Sequence, residues 1–170
     1  LENIQNRINN ARTIEFSDKL DGSMQSASWY DGKIVMAGSQ AVNPDKSWRL
    51  RDGYRMINAL PGYAEMLYAH QKYTFIFEYI SLADAHVVKY KKEQEGLYLI
   101  GIRNKETGKE FSYRSVLETA NIYNIPTTKV FNKTLDKAMT ELDDKSSDIL
   151  LSYPEFPASR LHGAAGKVFY

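Results

Sequence analysis

The residues best suited to chemistry lie in Lys19-Leu20-Asp21-Gly22-Ser23, where a lysine stands two residues ahead of a carboxylate, a glycine and a hydroxyl. A lysine amine attacks an electrophilic phosphorus only when it is neutral, so its site must bring the pKa down from about 10.4 by desolvation or nearby positive charge. Gly22 would let the backbone turn tightly beside a ligand, and Asp21 could orient the lysine or a sugar. The plain alternative is an ordinary β-turn carrying a solvated lysine. Glu78 is the second candidate, a carboxylate between Phe77 and Tyr79. On a strand it either points outward by alternation or is buried with a partner, because burial without one is costly.

The flanking elements suit such a site. Thr13 to Phe16 and Met24 to Tyr30 read as strands around the lysine turn, and Asp31-Gly32 is a hairpin signal leading into Ile34 to Ala37. Together they predict an antiparallel meander around Lys19. Apolar residues from Ser47 to Gln71 recur at helical spacing, with Pro61-Gly62 between two predicted helices. Tyr73 to Ile80, His86 to Tyr90 and Leu97 to Arg103 read as a second sheet. Arg114 to Tyr123 reads as a helix, and Asn132 as the N-cap of another that holds Leu135, Ala138, Met139 and Leu142. Residues 1–150 thus form one expected α+β domain of antiparallel sheets packed with helices. Residues 151–170 form a tail that could be a docked strand, an extended arm or disordered.

At 170 residues and 43% hydrophobic composition the chain can bury a core, and 22 basic against 21 acidic side chains leave net charge pointing to no partner class. A nucleic-acid contact would have to be local. Lys89, Lys91 and Lys92 are the densest cluster, although a solvated strand end explains such a run as well. Cysteine is absent, which removes disulfides and thiolate metal sites and suits a reducing compartment, so the cytoplasm is the expected location. Nothing resembles a signal peptide, and no apolar run reaches the roughly 18 residues needed to span a bilayer. His70 and His162 have no companions at metal-ligand spacing, and His86 reads as structural.

Three stretches in order carry a family resemblance. Lys19-Leu20-Asp21-Gly22-Ser23, Phe75-Ile76-Phe77-Glu78-Tyr79-Ile80 and Leu97-Tyr98-Leu99-Ile100-Gly101-Ile102-Arg103 resemble motifs of the phage-type ATP-dependent RNA ligases, within the superfamily of DNA ligases, RNA ligases and mRNA capping enzymes. Serine after the glycine, as at Ser23, looks like the RNA ligase version. The resemblance implies the nucleotidyltransferase fold of ligase adenylation domains, with Lys19 as the catalytic nucleophile that takes up AMP. It further implies that Asp21, Gly22, Ser23 and Glu78 bind the nucleotide and that Tyr98 lines the adenine pocket. ATP and Mg²⁺ follow as expected cofactors, and RNA with 5′-phosphate and 3′-hydroxyl ends as the expected partner. The metal would be held mostly by phosphates and water, so its ligands are not assigned.

The pattern also departs from the family. A basic residue is expected before the Gly-Ser pair of the third strand, where Met36-Ala37-Gly38-Ser39 has Ala37; Arg49 and Arg51 are near enough in sequence to be imagined as replacements, though they fall in a predicted helix. The basic and aromatic residues expected upstream of Lys19, the Glu-Gly strand motif and the final Lys-any-Lys motif are not found; Ala165-Gly166-Lys167-Val168 is a poor match. The chain therefore reads as a fragment or a degenerate copy, expected to fold but to adenylate poorly alone. Two other functions remain open: a DNA ligase or capping-type guanylyltransferase, and a noncatalytic nucleotide- or RNA-binding module of the same fold.

Overall fold

A computed structural model describes residues 15–84, 87–132 and 167–169. Along the sequence the chain divides into a flanking, outer unit formed by Leu1–Lys19 with Lys129–Tyr170, and a central, inner unit, Leu20–Thr128.

The inner unit is built on four antiparallel strands: β2 (Ser23–Tyr30), β3 (Lys33–Gly38), β4 (Tyr73–Ile80) and β5 (Gly96–Asn104), in the order β3-β2-β4-β5. Asp31 and Gly32 join β2 to β3 with φ of 47° and 74°, the left-handed pair that a two-residue hairpin demands. Alternation gives the sheet two faces. Ala27, Met36, Phe75, Phe77, Tyr79, Leu97, Leu99 and Ile102 are buried, while Met24, Ser26, Ile76, Glu78 and Tyr98 lie on the opposite, half-open face.

Three helices supply the rest of the core. Helix α1 (Trp48–Ala59) is capped by Ser47, whose hydroxyl accepts from the Leu50 amide, and buries Leu50, Gly53 and Ile57 at helical spacing. Helix α2 (Pro61–Ala69) has its proline in the first turn, where no amide hydrogen is missed, so the break falls at Leu60 and not at Pro61-Gly62. Gly62 is needed for contact, since a Cβ there would overlap the carbonyl oxygen of Tyr123. Helix α3 (Tyr113–Ile122), capped by Ser112, buries Tyr113, Val116 and Ala120. Phe75, Phe77, Ile57, Met66, Leu67 and Leu99 are fully enclosed, each contributing about 1.5–3 kcal/mol of hydrophobic stabilisation.

In the outer unit, β1 (Glu15–Asp18) pairs on one side with β6 (Val130–Asn132) and on the other with β7 (Lys167–Phe169), both antiparallel. Ser17 is buried there, and the Asp18 amide donates to the Lys129 carbonyl at 3.1 Å.

Three sequence expectations are corrected. Strands β1 and β2 belong to different sheets, so Lys19 sits on a connection between sheets and not in a meander. Strands β4 and β5 join β2 and β3 in one sheet. Val87 to Tyr90 is irregular chain, in which the Val87 and Val88 amides bond to the Asp21 carboxylate in place of a neighbouring strand. Asn132 ends a strand, and the helix expected beyond it lies outside the described residues, as do His86 and His162.

Candidate nucleotide site

The turn entering β2 is bound residue by residue to segments far along the chain. The Gly22 amide donates to Glu78 Oε1 at 2.8 Å, and the Asp21 amide donates to the Tyr90 hydroxyl at 2.7 Å. The Asp21 carboxylate accepts from the Val87 and Val88 amides, both at 2.8 Å through Oδ2. The Ser23 hydroxyl donates to Asp84 Oδ2 at 2.7 Å. Charge-assisted bonds such as those to Asp21 and Asp84 are stronger than neutral ones, so the turn and the chain after β4 form one polar assembly.

Gly22 serves a different purpose from the one its sequence context suggests. Its backbone is not left-handed; a Cβ would overlap the Tyr79 carbonyl oxygen and crowd the Ile80 side chain. The glycine lets the turn press against β4, which brings its amide to Glu78. Asp21 likewise spends its carboxylate on the 87–88 amides, so its observed work is to hold that segment.

Glu78 is half-buried on the open face, in register with Met24 on β2 and Tyr98 on β5. Tyr98 donates its hydroxyl to the Gln94 carbonyl at 3.0 Å, and its ring belongs to the same face. Burial pushes the Tyr98 phenol upward, and the Tyr90 phenol too. For Tyr90 the bond from the Asp21 amide opposes that shift, while the charges of Asp21 and Glu78 add to it. Tyr90, Asp21, Glu78 and Tyr98 therefore share one electrostatic environment.

Beside this assembly lies a cavity of about 300 Å³, lined in part by Ser23, Gly38, Ser39, Ser47 and Arg49. Arg49, in the first turn of α1, meets Asp84 side-on, Nε to Oδ2 and Nη2 to Oδ1, each at 2.5 Å. The bond to Asp84 raises the guanidinium pKa against a smaller effect of desolvation. Its Cζ lies 4.9 Å from the Trp48 ring centroid, a cation–π contact.

Lys19 is exposed and ends the outer unit, whereas Asp21, Gly22, Ser23, Glu78 and Tyr98 belong to the inner one. Lys89, Lys91 and Lys92 are exposed, and Lys92 pairs with Glu95. His70 shares a hydrogen bond with the Tyr123 hydroxyl at 3.0 Å and packs beside Tyr73 and Phe75. Sequence reasoning overlooked Asp84 and Tyr90 and gave Arg49 little weight. Asp84 follows β4 closely, but no spacing rule ties it to a serine and an arginine on other elements. No group of three or more His, Cys, Asp and Glu able to hold a metal occurs among the described residues, and no helix among them is long and apolar enough to cross a membrane.

The RNA ligase family model matches residues 1–151. No curated protein matches the chain by sequence. Among solved structures, one form of an archaeal ATP-dependent RNA ligase is 15% identical with a TM-score of 0.63, over 85% of this chain and 39% of that one. A second form is 16% identical with a TM-score of 0.64, over 85% and 38%. A Naegleria gruberi RNA ligase variant solved with ATP and Mn is 16% identical with a TM-score of 0.55, over 81% and 43%. The chain thus spans about two fifths of the length of these structures. At such identities the likeness establishes the α+β fold, with its antiparallel sheet and helices. The family rests on the sequence match, which takes in the Lys19 turn, the Glu78 strand and the Tyr98 strand together: this chain belongs to the RNA ligase family.

Proposed function

We propose that the chain carries the nucleotidyl-transfer chemistry of an ATP-dependent RNA ligase. The neutral Lys19 amine attacks the α-phosphorus of ATP, a P–N bond forms as the bond to pyrophosphate breaks, and the amine loses its proton. AMP then passes to an RNA 5′-phosphate, freeing the lysine. A 3′-hydroxyl finally attacks that phosphate, forming the phosphodiester and releasing AMP.

The observation that carries this reading is the bond from the Gly22 amide to Glu78, which ties the lysine-bearing stretch to the strand carboxylate across 56 residues. Asp21, Gly22, Ser23 and Glu78 are assigned to binding the nucleotide, with Tyr98 beside the base and Lys89, Lys91 and Lys92 toward RNA. That Lys19 and Glu78 serve one nucleotide is part of the proposal. An aromatic ring next to half-buried Ile76 and Ile100 suits a base, which stacks and excludes water. A divalent cation would neutralise phosphate charge. No group of three or more metal-ligating side chains gathers among the described residues, which fits a Mg²⁺ ion held chiefly by phosphates and water. The similar Naegleria gruberi RNA ligase variant was solved with ATP and Mn, which favours the same requirement here.

With the expected basic motifs restored on either side, protein incubated with Mg²⁺ and α-labelled ATP should acquire acid-labile, base-stable AMP on Lys19, located by peptide mass spectrometry, while the 170 residues alone should label poorly. ATP bound without any covalent AMP would favour a noncatalytic binding module instead.

A further inference from the structure

Arg49 is held more firmly than a helix-surface arginine needs to be. Asp84, 8% exposed, grips its Nε and one terminal nitrogen and also accepts a hydrogen bond from the Ser23 hydroxyl, while the Trp48 ring supports the guanidinium plane. A guanidinium has five N–H donors, and this side-on pair leaves the second terminal nitrogen uncommitted to Asp84. The side chain keeps 40% of its surface exposed and lines the 300 Å³ cavity at the end of the sheet.

The rest of that lining is uncharged. Arg49 is its one charged side chain among the described residues, and no carboxylate lines it; Ser39, Gln40 and Ser47 bring hydroxyl and amide groups. Asp84 offsets much of the arginine's charge, so what remains is a fixed pair of directional donors more than a long-range attraction. The positive end of the 12-residue helix α1 lies at the same wall. Pinning the guanidinium in advance lowers the entropy lost on binding. The volume falls at the small end of ligand pockets, roughly 300–1,000 Å³.

We propose that this cavity is a phosphate subsite in which Arg49, oriented by Asp84 and Trp48, donates a forked pair of hydrogen bonds to a phosphate group. The phosphate comes either from the polyphosphate of a nucleotide or from the backbone of an RNA strand. Only that choice of sources rests on the ligase function proposed above.

Calorimetric titration with inorganic pyrophosphate, ATP and a 5′-phosphorylated oligoribonucleotide separates the possibilities. Arg49→Ala could disturb folding by leaving Asp84 without its cation, so Arg49→Lys, which keeps the charge and loses the fork, is titrated alongside it. Circular dichroism melts check both. Each variant should weaken its ligand at least tenfold, and for RNA the alanine variant should reduce the salt slope by about one. Weakening of pyrophosphate and ATP assigns the site to the nucleotide, and weakening of the oligoribonucleotide alone assigns it to RNA. Unchanged affinity for all three ligands in a folded Arg49→Lys protein overturns the proposal, as does the absence of any binding to wild type. A protein that binds pyrophosphate through Arg49 yet never takes up AMP would instead count against the ligase chemistry.

Discussion

Gly53 of α1 sits directly against the side-chain amide of Gln25 on β2, so that a Cβ at position 53 would overlap the Gln25 oxygen. Gln25 is 1% exposed, and its Nε2 donates to the Arg49 carbonyl at 2.8 Å, which fixes the amide's orientation and turns its oxygen toward the glycine. No hydrogen-bond partner is present for that oxygen. The same contact sets how closely the helix carrying Arg49 approaches the strand carrying Ser23.

Gly53→Ala should therefore destabilise the protein. In an unobstructed helix the change gains about 1 kcal/mol. Here overpacking should reverse the sign, for a net loss of about 1–3 kcal/mol in urea unfolding. In a Gln25→Ala background, which removes the obstruction, the same substitution should become neutral or stabilising. Equal losses in both backgrounds would show that the Gln25 contact is not the cause.

In protein with the expected basic motifs restored, Lys19→Ala and Lys19→Arg should both abolish AMP labelling. Alanine has no nucleophile, and a guanidinium stays protonated. Labelling that survives either change, followed by mass spectrometry, would move the nucleophile elsewhere.

Glu78 has a structural bond as well as a proposed ligand role, and the two can be parted. Glu78→Ala leaves the Gly22 amide without this acceptor, at a cost of about 1–3 kcal/mol, while Glu78→Gln keeps an oxygen for it. The glutamine variant should melt near wild type and still label poorly. Lys91→Ala should label almost normally, and a loss equal to that of Glu78→Gln would contradict the assigned pocket.

Asp21→Ala should release the segment after Asp84. Two amides lose a charged acceptor, each bond being worth about 1.5–3 kcal/mol. Hydrogen exchange at Val87 and Val88 should accelerate at least tenfold while Phe75 and Phe77 stay protected. Unchanged exchange at 87–88 would mean that other contacts hold the segment.

Alkaline stability should track buried phenols. Burial, with a smaller contribution from Tyr98, pushes Tyr63 well above the ordinary value of 10.0, and its hydroxyl donates to the Leu97 carbonyl at 2.6 Å. A folded pKa above the unfolded one means that the contribution is complete below about pH 10 and disappears as pH rises further. The urea midpoint should fall steeply above pH 10, and less steeply in Tyr63→Phe. Identical slopes would remove Tyr63 as the cause.

Local features of the fold were legible because local chemistry dictates them. Asp31-Gly32 could hardly be anything but a tight turn, and the aromatic and β-branched run from Tyr73 to Ile80 marked the strand while leaving open whether Glu78 points outward or is buried with a partner. Sheet membership was not legible. Ser17 pairs with Val130 and Val168, and no short-range pattern near Ser17 names partners so far along the chain. Val87 and Val88 look like strand residues by type, yet a carboxylate from Asp21 claims their amides. Within the site, the motifs placed Asp21, Gly22, Ser23 and Glu78 together. Arg49 escaped because reaching the cavity depends on its position in the first turn of α1, packed against β2, which the residue's spacing from Ser39 does not reveal.

Strand β5 holds one residue more than its partner needs. Ile76 faces Gly101 and Phe77 faces Leu99, so Ile100 is left over in a bulge, and this lets both Leu99 and Ile102 reach the core although they are three apart. Over evolutionary time such a bulge is a place where chain length can change by one. Losing Ile100 would bring Leu99 and Ile102 to two residues apart and restore a regular ladder with both still on the core face. Loss of one residue at this point therefore leaves both faces of β5 in place, whereas gain or loss of one residue elsewhere in the strand would turn one half over relative to the other.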